Sequence, residues 1–390
     1  MKSSPLISIN TPTQTPTQPA TPMAADRFAI DSHKLIYHPH RVAQWLDARD
    51  DWDAAREVYP VYVEMSPVGA CNHRCKFCAV DYIGYQAKRL ELDQITPRLQ
   101  EMGRLGVKSI MFAGEGEPLL HKQLPEMIEV CADSGIDTAI TSNATVVSDK
   151  FLERALPHVS WFKASVNAGS AETYADIHQT RADDFQKALH NLQRLVEHRN
   201  RHGYRTTLGA QSLLLPENRH EMVELARICR DQVGLDYLVV KPYSQHLFSN
   251  THTYEGITYA DMDQLARELA AENRDDFNVV FRSNTMRKLE QSSEQRYPRC
   301  GATPFFWAYV MADGAVYGCS AYLTDERFDY GNLNEQSFEQ IWQGEKREAS
   351  FHHVRHSLDI RECRTNCRMD EINRYLHALE TNSVAHMNFI

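Results

Sequence analysis

Between Val61 and about Gln245, six short strand-like runs alternate with amphipathic helical stretches, and this alternation limits the possible folds more than any other feature of the chain. The runs are Tyr62 to Ser66, Ser109 to Ala113, Asp137 to Ser142, Trp161 to Val166, Thr206 to Leu214 and Tyr237 to Lys241. A helix between two strands returns the chain to the same end of the sheet, so successive strands run parallel. The expectation is an α/β fold of repeated βα units around a parallel sheet. Functional side chains are then sought where the strands end.

The first strand feeds directly into Cys71-Asn-His-Arg-Cys75-Lys-Phe-Cys78, three thiols spaced C-x3-C-x2-C. Thiols this close can converge on one inorganic cluster from a single loop. A zinc site, or a disulfide with a spare thiol, is the plainer alternative, although zinc normally closes four ligands from two short hairpins. With Phe77 beside the last cysteine, the loop closely resembles the signature of the radical S-adenosylmethionine (SAM) superfamily, C-x3-C-x-aromatic-C after the first strand of a partial β/α barrel. The resemblance implies a partial (β/α)6 barrel in which Cys71, Cys75 and Cys78 hold a [4Fe–4S] cluster. Its fourth iron would bind SAM, and an electron from a flavodoxin or ferredoxin would cleave SAM to a 5′-deoxyadenosyl radical. Phe77 would cover the bound base.

The strand ends supply the remaining candidates. After the second strand, Ala113-Gly-Glu-Gly-Glu-Pro118 resembles the superfamily's G-G-E-P motif. This assigns Gly116, Glu117 and Pro118 to the cofactor's amino group, with Gly114 and Glu115 in a turn one residue longer than the shortest form. Asn143 ends the third strand, Ser165 and Asn167 end the fourth, and Gln211 interrupts the apolar fifth. Each offers hydrogen bonds to SAM or is an ordinary strand-end polar group. Lys241 and Tyr243 close the sixth strand, where they would meet the substrate as catalytic residues; otherwise they form a solvated strand end. Cys131 and Cys229 each fall seven residues beyond an apolar residue on a helical stripe with Met127 and Ile128, or Leu225 and Ala226, which makes them core residues.

A second cysteine group follows a charged connector over 249–295, read as helices from Tyr259 to Asn273 and from Arg282 to Gln295. Cys300 precedes Cys319 by 18 intervening residues, Cys363 follows after 43 more, and Cys367 after three. Trp307 to Cys319 reads as a hairpin turning at Asp313-Gly314. On spacing alone a four-cysteine zinc ribbon is a fair rival. The hairpin, Tyr330-Gly-Asn-Leu and Phe338-Glu-Gln-Ile-Trp342 are similar to the SPASM/twitch extension of radical SAM enzymes. Four cysteines, against the seven of the full SPASM pattern, resemble the twitch form with one auxiliary [4Fe–4S] cluster, as in the dehydrogenase acting on 2-deoxy-scyllo-inosamine. The expected domains are a disordered tail over 1–25, a helical segment over 26–60, the barrel over 61–248, the connector, and a twitch-type α+β domain over 296–390.

Residues 1–25 are rich in Ser, Thr, Pro and Gln and cannot bury enough apolar surface to order themselves. Residues 28–59 carry Val42, Trp45 and Leu46 at helix-face spacing, as a packing element does. A formal charge of −10 argues against a nucleic-acid partner. No apolar run is long enough to span a membrane, and the N-terminus lacks a secretion signal, so a cytoplasmic protein is expected. Four auxiliary thiols fill every ligand position of a cubane, which suits electron transfer. Together these features imply an oxidoreductase that oxidises a small sugar- or aminocyclitol-like substrate. A peptide maturase, a redox-neutral epimerase and a non-catalytic iron–sulfur scaffold are the alternatives.

Overall fold

The computed structural model describes residues 28–290, 296–382 and 385–389, so the composition-biased tail lies outside the described residues. The six expected strands form as β1 (Tyr62–Met65), β2 (Ser109–Phe112), β3 (Asp137–Ser142), β4 (Val159–Ser165), β5 (Thr207–Leu214) and β6 (Tyr237–Pro242). They pair in sequence order and all in parallel. Helical periodicity decides what covers them. Ile95, Leu99 and Met102 line the buried face of the helix Leu92–Arg104, and Leu124, Met127, Ile128 and Cys131 that of Leu124–Asp133. Cys131 and Cys229 are buried among the apolar residues of this outer core, as their spacing predicts. Among the described residues, no helix is long and apolar enough to cross a membrane.

The connector departs from expectation. In place of two helices it holds a helix (Asp263–Ala270), a seventh strand β7 (Asn278–Phe281) and a helix (Ser283–Leu289). β7 adds in parallel to β6, with Val240 opposite Phe281. On the other edge, β8 (Trp307–Val310) pairs in parallel with β1, and the Asp313-Gly314 turn reverses the chain into β9 (Ala315–Tyr317), followed by β10 (Asp329–Asn332). Gly314 has φ +86, and a Cβ there would stand 2.7 Å from Asn332 Oδ1. The hairpin of the cysteine-rich region therefore continues the barrel's own sheet, in the order β10-β9-β8-β1-β2-β3-β4-β5-β6-β7.

The sheet curls so that Tyr62 of β1 and Trp161 of β4 share one interior cluster with Met111, Ala113 and Ala139. Tyr237, Val239 and Val280 form the floor, closed by Phe28 and Ile30 of the N-terminal segment. Gly209 is required there, because the Tyr237 ring lies 2.3 Å from where a Cβ would be. The helix Pro39–Ala48 buries Val42, Trp45 and Ala48 against Phe305, Phe306 and Phe351, while the expected third residue, Leu46, is only partly covered. Trp45 Nε1 donates to the Gly301 carbonyl at 3.0 Å.

Candidate functional site

The three-cysteine loop leaves the C-terminal end of β1 and is pinned on both sides by hydrogen bonds. Glu117 N donates to Ala70 O (2.9 Å), and Gly116 leaves no room for a side chain, since a Cβ would lie 2.1 Å from Val68 O. Asn72 accepts from Asn143 Nδ2 (2.8 Å) and donates to Thr145 Oγ1 (2.9 Å). Opposite, the backbone N–H groups of Arg74 and Lys76 donate to His178 O and Ile177 O, at the end of the helix Ala171–His178. Cys71, Cys75 and Cys78 are half-buried free thiols. Burial pushes the Cys71 thiol up to about 11 and raises Cys75 and Cys78 too, and the charges of the neighbouring thiolates add to the shift on Cys71 and Cys75. Thiols held together this way ionise when a metal centre supplies the positive charge they lack. The donor set fits a cluster.

Asn167 and His178 fix the environment of Cys75. Asn167 Oδ1 accepts from Leu213 N at 2.7 Å, which turns its Nδ2 toward His178 Nε2, 3.2 Å away. His178 Nε2 therefore accepts, and the proton sits on Nδ1, 3.3 Å from Cys75 Sγ. Burial lowers the His178 pKa far below its ordinary value, so the ring is neutral. His73, Cys75 and His178 bring ligand atoms within 4.8 Å of one another, but both His178 nitrogens are engaged, so they form part of the loop's support and not a second metal site. Phe77 packs edge-on to His178 at 5.4 Å.

The strand-end candidates divide into two groups. Glu117, Asn143 and Asn167 are buried and hydrogen-bonded within the protein. The Glu117 carboxylate accepts from Ser142 Oγ (2.6 Å), Asn143 N (2.8 Å) and Leu119 N (3.1 Å), and Asn143 Oδ1 accepts from Thr145. They tie β2 to β3 and the cysteine loop to both, while buried Pro118 begins the turn Pro118–Leu120. Glu115 takes Ala312 N at 2.7 Å and joins this turn to the end of β8. The second group is a chain across the barrel mouth: Lys241 Nζ donates to Gln211 Oε1 (3.0 Å), and Gln211 Nε2 donates to Ser165 Oγ (2.9 Å). Burial holds the Lys241 pKa well below the usual lysine range. Tyr243 is buried, its hydroxyl donating to Gln245 Oε1 at 2.6 Å.

Sequence reasoning missed several charged residues of the same interior. Lys163, on β4, stands over the Trp161 ring at 5.0 Å and makes no hydrogen bond or ion pair among the described residues. Arg368 pairs with Glu64 of β1 at 2.8 Å and donates to Tyr62 at 2.9 Å. Arg364 donates to Ser244 O, just after β6, at 2.6 Å. Lys163 was findable, because it breaks an apolar strand as Gln211 does. The two arginines are hidden in sequence by the cysteines beside them.

Cys300, Cys319, Cys363 and Cys367 line a single cavity with Tyr297, Tyr322 and Arg296. Asn373 Nδ2 donates to Cys300 Sγ at 3.4 Å, and the Tyr322 hydroxyl lies 3.5 Å from Cys363 Sγ. Burial, followed by the charges of neighbouring thiolates, raises Cys319 and Cys367, the latter to about 12. Four convergent thiols around one void fit one four-iron cluster.

Family models match both regions: the radical SAM superfamily over residues 65–229, and SPASM, an iron–sulfur cluster-binding domain, over residues 300–368. The chain is a radical SAM protein with a SPASM domain. Its cofactors are SAM and [4Fe–4S] clusters, one binding SAM and one auxiliary. It is 27% identical over 202 residues to a GTP 3′,8-cyclase of Chlorobaculum tepidum, covering 50% of this chain and 58% of that protein. A protein of Pyrococcus furiosus described as modifying the cofactor of tungsten-containing aldehyde ferredoxin oxidoreductase is 22% identical, with 73% and 81% of the two chains covered. The fold is shared with Streptococcus suis SuiB bound to its precursor peptide SuiA, at TM-score 0.62 and 16% identity, over 89% of this radical SAM chain and 77% of SuiB. The chain spans 23% to 61% of the length of the first three curated relatives it matches.

Proposed function

We propose that this radical SAM enzyme removes a hydrogen atom from a small polar substrate in the barrel mouth and completes a net two-electron oxidation, such as alcohol to carbonyl. When bound, SAM and the first cluster supply hydrogen-atom abstraction, and the auxiliary cluster supplies an electron acceptor. The observation carrying this reading is the placement of the Cys363–Arg368 segment, whose Arg364 reaches the loop after β6 and whose Arg368 reaches β1. An acceptor site built into the wall of the substrate chamber suits oxidation, whereas a redox-neutral epimerisation has no use for one.

The chain's own residues have three tasks. Ser165, Gln211 and Lys241 present a fixed line of hydrogen-bonding groups to the substrate. Lys241, kept toward its neutral form by burial, takes the hydroxyl proton that an alcohol releases as it becomes a carbonyl. Phe28, Ile30, Tyr237 and Val280 close the far end of the barrel against water. A flavodoxin or ferredoxin is the proposed electron donor. The N-terminal segment buries its apolar face on the SPASM core, which supports a packing role over a peptide-leader module.

Anaerobic incubation of the reconstituted enzyme with pools of candidate metabolites tests the reading. The expected result is 5′-deoxyadenosine formation that depends on substrate, with a product lighter by two hydrogens. A product of unchanged mass would establish the epimerase reading in its place.

A further inference from the structure

The interior of the barrel is cationic in a chain that is acidic overall. Among the described residues, the Lys163 side chain has no ion pair or hydrogen bond, and the Arg364 side chain hydrogen-bonds to the neutral oxygens of Ser244, with Cys367 and Tyr243 the groups of opposite charge acting on it. Arg368 is matched by Glu64, the one carboxylate among the charged groups acting on Lys163. The charges that act most strongly on Lys241 are all cations: Lys163, Arg282, Arg368 and Arg364. Arg282 is paired too, with Asp31 at 3.3 Å. Arg368 nevertheless leaves 43% of its side-chain surface accessible, and Lys163 is half-exposed. Arg368 donates to the Tyr62 hydroxyl and Lys163 stands over the Trp161 ring, and Tyr62 and Trp161 pack on the same interior cluster.

An uncompensated charge inside a protein is costly, and it is retained where a ligand supplies the counter-charge. Lys163 comes from β4, and Arg364 and Arg368 come from the auxiliary cysteine segment, so no one element's solvated face accounts for all three. They also lie beside the polar line Ser165–Gln211–Lys241 that faces the substrate.

We infer that the barrel mouth takes an anionic substrate, its phosphate or carboxylate group held by Lys163, Arg364 and Arg368. The inference rests on the proposed function and narrows it. A sugar acid or sugar phosphate fits the chamber, and an aminocyclitol does not, because its ammonium would be repelled by the same cations that attract an anion. Lys163 supplies a point charge, while the two guanidinium groups offer planar pairs of donors matched to phosphate or carboxylate oxygens.

The test uses reconstituted holoenzyme under anaerobic conditions, with inorganic phosphate and succinate as separate probes, read by calorimetry and by the shift in thermal unfolding. At least one probe is expected to bind and raise the unfolding temperature, and the preferred one distinguishes a phosphorylated from a carboxylated substrate. Lys163→Met should weaken that binding about ten-fold or more, as expected for a lost charge-assisted hydrogen bond, and Lys163→Arg should restore most of it. In the absence of anion, Lys163→Met should unfold at the same temperature as wild type or higher, since it removes an unpaired, half-buried charge. Failure of both probes to bind, or equal binding by Lys163→Met, overturns the anion site. SAM cleavage by dithionite-reduced enzyme is measured alongside. If cleavage persists without anion binding, the substrate inference alone fails. If anions bind but no two-hydrogen oxidation is found with any phosphorylated or carboxylated compound, the oxidation reading fails while the anion site stands.

Discussion

Asn167 determines the protonation of a ring it only touches. Its carbonyl oxygen is committed to Leu213 N, so its amino group faces His178, and His178 must direct its own N–H at Cys75 Sγ. A hydrogen bond to a cluster sulfur favours the more negative, reduced state. His178→Leu should therefore lower the reduction potential of the SAM-binding cluster while leaving the iron content unchanged. A spectroelectrochemical titration without SAM checks this; an unchanged potential would limit His178 to packing. At this scale the sequence showed the cysteines and Gly116, because their spacing is local. It did not show what becomes of Glu117. A carboxylate at a strand end reads as an acceptor for a ligand ammonium, and nothing local in the sequence shows that Ser142 and Asn143, 25 and 26 residues further on, donate to it.

Among the elements, the strands with long apolar runs were legible, and the pairings between distant segments were not. β7 escaped notice because only Phe277 to Phe281 separates two charged stretches, too short a run to outweigh its helical flanks. The parallel pairing of β8 with β1 joins residues 245 apart, such as Tyr62 and Trp307, and no local pattern encodes it. The N-terminal helix is the third such junction. Trp45 is fully buried, packs near-perpendicular to Phe305 at 6.5 Å, and donates to Gly301 O. Trp45→Ala should cost about 3–5 kcal/mol of stability, the range for large aromatic truncations in a packed core. Denaturant unfolding measures the loss. Faster amide exchange should be confined to the Pro39–Ala48 helix and the segment around Gly301–Phe306; uniform acceleration would place Trp45 in the global core.

For the whole molecule, the two metal sites differ in how much chain each one closes. Cys71, Cys75 and Cys78 lie within eight residues, in a loop whose backbone is already bonded to Glu117, Ile177 and His178. The auxiliary cysteines span residues 300–367 and meet beneath Tyr322, Phe328, Val354 and Ile360. Joining distant residues removes far more conformational freedom from the unfolded chain than joining near ones, and cluster binding is folding free energy where the site brings such segments together. The reconstituted wild type should hold about eight irons, by cubane stoichiometry, and either cysteine set replaced by Ala about four. The unfolding temperatures should then separate. The Cys71, Cys75 and Cys78 variant should unfold close to wild type, whereas the Cys363 and Cys367 variant should unfold well below it. Equal losses would mean that the first loop depends on its cluster despite its hydrogen bonds. Stoichiometric zinc with only four irons in the wild type would give the second site to zinc and remove the electron acceptor on which the oxidation depends.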